Sequence, residues 1–288
     1  METGARLREF IQGASRLPVL PQVTVRLLKV LDSPDSSSRE IARIFEVEPA
    51  LTARLLKLAN SSFYGQRGNI SKVQNAVAVL GSKTIRSLAL TVWTQSLRSA
   101  AKTREEMALL LPLLAHGLAA GIAARLLAER KSPGLAEDAF MAGLLHDIGR
   151  VALVAQLGTK YQTLVLDPAL AEGVALHEKE AQVLGFDHRG LGAALMKSWA
   201  LPPFLSVVAE RHHDPLPDPG NSLLVSVVAL ADSFATRMRF NLGLDAVRAG
   251  QDALAVFFGF SDPAQIAEFL ETCMGWFGTM SEALDKAK

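Results

Sequence analysis

The 288-residue sequence has a single cysteine, Cys273, and almost no net charge. One cysteine excludes an internal disulfide framework and favours a reducing compartment. A formal charge of +1, from 30 basic and 29 acidic residues, gives no electrostatic bias toward nucleic acid or anionic lipid. The first ten residues carry charges where a secretory signal would have its apolar stretch. We therefore expect a cytoplasmic protein that binds neither nucleic acid nor a membrane.

Long uncharged stretches are also scarce, and residues 107–124 form the main one. At 18 residues this stretch is at the lower limit for crossing a bilayer. Much of it is alanine and glycine, Pro112 and His116 interrupt it, and no cluster of positive charges flanks it. The composition predicts a buried helix rather than a membrane span.

The sequence lacks closely spaced segments of alternating polar and apolar residues, and its apolar positions instead recur at helical spacing. Ser37, followed by Glu40 three residues later, predicts the start of a helix. Pro49 predicts the start of the next helix. Gly81 stands where a left-handed residue would end one helix before another begins. These patterns predict an all-α fold.

The length exceeds what one hydrophobic core usually serves, which predicts two helical lobes. Residues 100–106 are polar and charged between two strongly apolar helices, as is typical of an exposed connection. We place the lobes at residues 1–103 and 104–288. Residues 71–97 resemble a helix-turn-helix, but Lys83 and Arg86 on a mostly apolar second helix favour helix packing over DNA binding.

Histidines and aspartates of the second lobe are the candidates for chemistry. A lone histidine on an apolar helix is more often a packed core residue than a metal ligand. Buried aspartates beside histidines, however, need a cation or strong donors to compensate for lost hydration. Imidazole and carboxylate ligands suit Fe, Mn, Ni, Zn or Mg ions. The candidate metal ligands are His116, His146, Asp147, His188, His212, His213 and Asp232.

Two of these candidates, His146 and Asp147, are adjacent in the chain, with Gly149 two positions later. Asp147 has two carboxylate oxygens and could bridge two ions. His177 lies outside the candidate set and is predicted to be an exposed helix residue.

The order His116, His146, Asp147, Asp232 resembles the HD superfamily of metal-dependent phosphohydrolases. In the first lobe, the segments LPVLPQ, EPALTARLLKLANSSFYG and ISKVQNAVAVLG are similar to those of the HDOD (HD-related output domain) family of bacterial signal-transduction proteins. In the second lobe, GFDHRGLGAALMKSWALP followed by a His-His pair is similar to the same family. The resemblance covers roughly residues 15–240 and implies an HD-type helical domain for the second lobe.

The ligand order also resembles that of the HD-GYP phosphodiesterases, which hydrolyse cyclic di-GMP. In that resemblance, His188, His212 and His213 match the additional ligands of a two-metal site. Two features differ: the segment after His213 lacks the Gly-Tyr-Pro element, and Pro112 stands where three-metal members place a glutamate. The resemblance therefore implies two divalent ions rather than three.

Two functions follow from this resemblance. The family favours a regulatory module that acts mainly through binding, with a signalling protein partner in trans and a nucleotide as a candidate ligand. The alternative is a metal-dependent phosphohydrolase or phosphodiesterase acting on a nucleotide or cyclic dinucleotide. In the alternative, Asp147 is the catalytic, metal-bridging residue and Arg150 holds a phosphate oxygen.

Overall fold

The computed structural model describes residues 2–33, 37–46, 48–64, 70–213, 223–240 and 251–285, and these residues form helices and turns without a strand. The predicted all-α fold is confirmed. The α-helices, in chain order, are α1 (Glu2–Gly13), α2 (Gln22–Asp32), α3 (Ser38–Glu46), α4 (Pro49–Ala59), α5 (Val73–Ser96), α6 (Arg104–Lys131), α7 (Ala136–Leu145), α8 (Ile148–Leu157), α9 (Thr159–Tyr161), α10 (Asp167–Glu172), α11 (Leu176–Leu184), α12 (His188–Ser198), α13 (Pro203–Arg211), α14 (Leu223–Arg237), α15 (Gln251–Phe257) and α16 (Pro263–Asp285).

The predicted helix boundaries in the first third of the chain are confirmed. The backbone N–H of Glu40 donates to Ser37 Oγ at 3.1 Å, immediately before α3. Pro49 is the first residue of α4, where its missing N–H costs no intrahelical hydrogen bond. Gly81 has φ +79° and divides α5 into two helical segments. Glycine adopts this left-handed conformation without the steric penalty of a Cβ atom.

The chain forms two compact units. The first unit comprises Met1–Val19 and Leu97–Leu270, and it contains every candidate metal ligand. The second unit comprises Leu20–Ser96 and Glu271–Lys288. The units thus take segments from both ends of the chain, whereas the predicted division between residues 103 and 104 cuts the chain once. As a statement about separately folding domains, that division stays a prediction.

The second unit has a core of large side chains from its helices. Leu27, Phe45, Leu55 and Leu88 are buried in this core. They come from α2, α3, α4 and α5 respectively, so each of these amphipathic helices contributes an apolar face to one core.

Close backbone approach between α6 and α7 shapes the first unit. A Cβ atom added at Gly143 of α7 would lie 2.7 Å from the carbonyl oxygen of Ala120 in α6. A Cβ atom at Gly117 of α6 would likewise lie 2.7 Å from the carbonyl oxygen of Leu144. Glycine at these positions lets the two backbones touch, which brings residue 116 of α6 beside the C-terminal end of α7.

Hydrogen bonds tie the N-terminal segment to the rest of the first unit. The Arg16 guanidinium donates to both carboxylate oxygens of Glu106 on α6, at 3.1 and 2.8 Å. The backbone N–H of Arg16 donates to Gln156 Oε1 on α8, at 2.9 Å. Hydrogen bonding from Arg16 lowers the pKa of Glu106 to about 2. Residues 1–19 therefore belong to the first unit through specific polar contacts.

Two segments among the described residues, Arg104–Lys131 and Pro133–Leu157, are long and apolar enough to cross a membrane. The protein buries 72% and 89% of their most apolar windows, respectively. Core helices pass the same test of length and composition, so these segments are weak evidence for a membrane span. For residues 107–124, the observed burial agrees with the predicted buried helix.

Candidate metal centre

The seven predicted ligands come from separate elements whose ends converge in the first unit. His116 lies in α6, His146 and Asp147 form the turn between α7 and α8, and Asp232 lies in α14. His188 is the first residue of α12, and His212 and His213 are the two residues that follow α13. The structure brings all seven together, with exposed fractions between 0 and 8%: His116, His146, Asp147, His188, His212, His213 and Asp232.

Four of these residues form what we call the first ligand group: His116, His146, Asp147 through Oδ2, and Asp232 through Oδ1. His116 Nε2 lies 3.1 Å from Asp232 Oδ1 and 3.9 Å from Asp147 Oδ2. His146 Nε2 lies 3.8 Å from Asp232 Oδ1 and 3.5 Å from Asp147 Oδ2. Two imidazoles and two carboxylates thus face one another.

The second ligand group comprises Asp147 through Oδ1, together with His188, His212 and His213. Asp147 Oδ1 lies 3.4 Å from His188 Nε2 and 3.5 Å from His212 Nε2. His213 Nε2 lies 3.3 Å from His188 Nε2. Asp147 therefore belongs to both groups, and a different oxygen of its carboxylate faces each group.

Backbone carbonyls orient three of the histidines. A carbonyl oxygen can only accept a hydrogen bond, so the Nδ1 atom that contacts it carries the proton. The Nε2 atom then presents its lone pair to the ligand group, as a metal ligand requires. The Nδ1 contacts are those of His116 with Phe240 O at 2.5 Å, His146 with Gly143 O at 2.7 Å, and His212 with Ala209 O at 2.8 Å.

Several ligand atoms have hydrogen-bonding capacity that the protein does not use. His146 Nε2, His212 Nε2 and Asp147 Oδ1 are buried and make no hydrogen bond. A buried polar atom without a partner costs about 1–3 kcal/mol. A bound divalent cation would supply the missing interaction to all three atoms, because each offers a lone pair.

The spacing of the ligand atoms fits a cation. Metal–ligand bonds of about 2.1 Å place neighbouring ligand atoms about 3.0 Å apart in an octahedron and about 3.4 Å apart in a tetrahedron. The separations between imidazole nitrogens and carboxylate oxygens here range from 3.1 to 3.9 Å. The site residues therefore fit a divalent metal in both chemistry and spacing.

Both aspartates of the site are carboxylate ions. Burial alone would raise the pKa of Asp147, but the Arg150 guanidinium and the imidazole of His146 outweigh it and hold that pKa well below its usual range. Burial would also raise the pKa of Asp232, but hydrogen bonds that His116 and His146 donate in their protonated form outweigh it and hold that pKa well below its usual range. A bound cation would replace these protons on the Nε2 atoms. Two buried negative charges are thus available to a cation.

The imidazole of His212 is neutral at physiological pH. Burial lowers its pKa to about 4, since the protonated ring would be removed from water. Only the neutral ring can donate its Nε2 lone pair to a metal. His212 is therefore already in the protonation state of a ligand.

Arg150, predicted to hold a phosphate oxygen, contacts the site through Asp147. Its Nη1 lies 3.1 Å from Asp147 Oδ2, and the residue is 4% exposed. This contact gives Arg150 a second role, which is to stabilise the charge of Asp147. Phosphate binding by Arg150 stays a prediction.

Gly149 sets the distance between the His-Asp turn and α12. A Cβ atom at this position would lie 2.0 Å from the carbonyl oxygen of His188. No larger residue fits there unless α8 and α12 move apart. The glycine that follows Asp147 by two positions therefore brings His188 against Asp147.

Sequence reasoning missed Glu180, a fully buried carboxylate on α11. Its Oε2 accepts from the backbone N–H of His188 at 2.8 Å and contacts His188 Nδ1 at 2.6 Å. Its Oε1 accepts from the hydroxyl of Tyr161 at 2.5 Å. Glu180 thus orients His188 as the backbone carbonyls orient three of the other histidines.

The prediction that His177 is an exposed helix residue is wrong. His177 is half-buried on α11, and its Nδ1 lies 3.1 Å from Nδ1 of His213. His177 and Glu180 are three residues apart, which puts both side chains on one face of the helix. This three-residue spacing could have identified them from the sequence, because one turn of α11 presents two residues that can orient metal-binding histidines.

The chain matches the model of the HDOD domain family over residues 17–215, and it matches no curated protein. Among solved structures, an HDOD domain protein of unknown function from Geobacter sulfurreducens is 26% identical, with a TM-score of 0.75 and coverage of 99% of this chain and 97% of that chain. A protein of Shewanella amazonensis SB2B, provisionally named a phosphohydrolase, is 25% identical, with a TM-score of 0.73 and coverage of 97% of this chain and 98% of that chain.

A second protein of Shewanella amazonensis SB2B, provisionally named a metal-dependent phosphohydrolase, is 22% identical and shows the fold alone. Its TM-score is 0.67, and 99% of each chain is covered. The family match spans more than half of the chain and includes six of the seven ligands, whereas Asp232 lies beyond its end. The predicted family is confirmed: this chain belongs to the HDOD family.

Proposed function

We propose that this HDOD protein is a regulatory module that binds two divalent cations in its first unit and acts mainly through binding. The observation that carries the proposal is the position of Asp147, which presents one carboxylate oxygen to each ligand group. A signalling partner in trans, a bacterial source and a cytoplasmic location stay predictions.

The two ligand groups supply enough donors for two ions. The first group offers two imidazole nitrogens and two carboxylate oxygens, and the second offers three imidazole nitrogens and one carboxylate oxygen. Four donors complete a tetrahedral ion such as Zn²⁺ and leave positions for water on a six-coordinate ion. The absence of sulfur from both groups favours Fe, Mn, Ni, Zn or Mg over soft metals.

The burial of the ligands agrees with a structural or sensing role. His213, the most exposed ligand, is 8% exposed, and His146 and His188 are fully buried. A substrate phosphate would have to reach the cations directly, whereas a structural or sensing site needs no such path. The proline-rich segment after His213, residues 214–222, lies outside the described residues.

The second candidate function is a metal-dependent phosphohydrolase or phosphodiesterase acting on a nucleotide or cyclic dinucleotide. It is supported by the sharing of Asp147 between two groups and by the provisional name of the 25% identical Shewanella protein. Bound cations would activate a water molecule and neutralise the charge that develops on a phosphate. Arg150 would then stabilise the negative charge of Asp147, and Asp147 would contact both cations.

One experiment separates the two candidates. The protein is loaded with Mn²⁺, Fe²⁺ or Zn²⁺, its metal content is measured, and it is assayed against phosphodiesters, nucleotides and cyclic dinucleotides beside Asp147→Asn. The proposal predicts two ions per chain and no turnover. Turnover that disappears in Asp147→Asn would establish the enzyme instead, and a chain that binds no metal would overturn both candidates.

A further inference from the structure

The two ligand groups differ in what orients their histidines. In the first group, both Nδ1 atoms contact backbone carbonyls, those of Phe240 and Gly143. In the second group, one Nδ1 atom contacts a backbone carbonyl, and the other two contact side chains of α11. Only the histidines of the second group are therefore oriented by side chains outside the ligand set.

Glu180 holds His188 at two points. The carboxylate contacts both the backbone N–H and the Nδ1 atom of His188, so it fixes the start of α12 as well as the ring. The Tyr161 hydroxyl, which is fully buried, donates to the other oxygen of Glu180 and fixes the carboxylate in turn. Because Glu180 Oε2 already accepts from the backbone N–H of His188, we assign the ring proton to His188 Nδ1, which leaves Nε2 facing Asp147.

His177 holds His213 in an equivalent way. The two Nδ1 atoms lie 3.1 Å apart, so one of them donates to the other. When His213 Nδ1 is the donor, its Nε2 lone pair faces the second ligand group, as in the other four histidines. His177 then acts as a neutral hydrogen-bond acceptor for a ligand, the role that carbonyl oxygens play elsewhere in the site.

We propose that α11 sets the affinity of the second ligand group for its cation, with His177 and Glu180 as positioning residues. This inference rests on the proposed two-cation site and adds that different parts of the protein orient the histidines of its two ligand groups. Side chains of α11 orient two histidines of the second ligand group. Backbone carbonyls, which substitution of a side chain does not remove, orient both histidines of the first group.

The expected effect is selective. Loss of a partner that orients a metal-binding histidine typically weakens metal binding 10- to 100-fold. Substitutions on α11 should produce this loss at one cation position. The other position should keep its affinity, because the carbonyl oxygens of Gly143 and Phe240 remain.

The test is calorimetric titration of the full chain with Zn²⁺ and, in parallel, Mn²⁺. His177→Ala removes the acceptor from a half-buried position, and His177→Asn restores an acceptor at a similar place. Glu180→Gln keeps the shape of the side chain and an acceptor oxygen, but it removes the charge through which a carboxylate raises the basicity of a ligating histidine. Glu178→Gln makes the same charge change at an exposed position of α11 and is the matched control.

We expect two binding events in the unmodified protein. His177→Ala and Glu180→Gln should each weaken one event about 10- to 100-fold and leave the other within about twofold. His177→Asn should recover most of the affinity, and Glu178→Gln should have no effect. The visible absorption spectrum of the Co²⁺-loaded protein should change for one ion of the pair in the same two variants.

Four results would overturn the inference. Two unchanged binding events in His177→Ala and Glu180→Gln would overturn it while leaving the two-cation site intact. Equal weakening of both events, or failure of His177→Asn to recover affinity, would overturn the selective positioning role. Fewer than two binding events in the unmodified protein would overturn the proposed two-cation site itself, and the inference with it.

Discussion

At the scale of single residues, the site depends on how each polar atom is satisfied. Asp147 keeps its negative charge in a buried position because Arg150 and several imidazoles surround it. The histidines keep one ring nitrogen for a cation because their other nitrogen contacts a fixed partner. These histidines and aspartates are candidate ligands because neighbouring groups orient their rings or stabilise their charge. Without those neighbours, burial of such polar groups would destabilise the fold.

The hydroxyl of Tyr161 should contribute measurably to stability. Tyr161→Phe removes a buried donor to Glu180 and leaves a carboxylate oxygen without its hydrogen bond. Hydrogen bonds to charged groups contribute about 1.5–3 kcal/mol, so we expect the free energy of unfolding to fall by about that amount. Urea denaturation measures the change.

Tyr64→Phe is the control for this prediction, since it removes the same atom from a buried tyrosine of the second unit. A Tyr161→Phe variant as stable as the unmodified protein would show that the contact with Glu180 adds nothing.

At the scale of secondary-structure elements, the site is made where helices begin and end. The His-Asp turn joins α7 to α8, His188 begins α12, and the two last histidines follow α13. Close packing of these elements on one another fixes the ligands, so small residues at the contacts are part of the site.

Gly149 gives a direct test of this packing. Gly149→Ala should force α8 away from α12, because its Cβ atom would lie 2.0 Å from the carbonyl oxygen of His188. Overpacking of a well-packed core costs about 1–3 kcal/mol or more. We expect a lower melting temperature and weaker cation binding.

Gly275→Ala is the matched control, since among the described residues no atom beyond its own turn of helix lies within 4 Å of the Cβ position there. It should stabilise the protein slightly, by about 0.4–1 kcal/mol, because alanine reduces the freedom of the unfolded chain. A neutral Gly149→Ala would contradict the close approach.

The contact between Arg16 and Glu106 should make stability depend on acid pH. The pKa of Glu106 is about 2 in the folded protein against an ordinary value of 4.5. A lowered folded pKa contributes stability above the ordinary value, and that contribution is lost as the pH falls toward about 2. Glu106→Gln should therefore be less stable than the unmodified protein above about pH 4.5, and the difference should shrink as the pH approaches 2.

Urea unfolding across this pH range measures the difference, with Glu178→Gln as an exposed control. A difference that is constant with pH would mean that the charge of Glu106 adds no stability.

At the scale of the whole molecule, sequence reasoning found the helical fold, the family and seven residues that the structure brings together. It found them because the His-Asp and His-His pairs are local and because apolar periodicity marks the helices that carry them. It misjudged His177 because its partner is distant in the chain: His177 and His213 are 36 residues apart. It missed Glu180, whose partner His188 is only 8 residues away, because that contact joins two different helices.

Local sequence patterns could not predict the composition of the two compact units either. Contacts of Arg16 with Glu106, 90 residues away, place the N-terminal segment in the first unit. No local pattern marks such a contact in advance. The backbone carbonyl of Phe240, which orients His116 across 124 residues, carries no side-chain signature at all.

The measurement that tests the central claim most directly is the number of cations bound per chain by the unmodified protein, Asp232→Asn and Asp147→Asn. Asp232 belongs to the first ligand group alone, whereas Asp147 belongs to both. We expect two ions in the unmodified protein, one in Asp232→Asn, and weakened binding of both ions in Asp147→Asn. One ion in the unmodified protein, or the same loss in both variants, would contradict the shared role of Asp147.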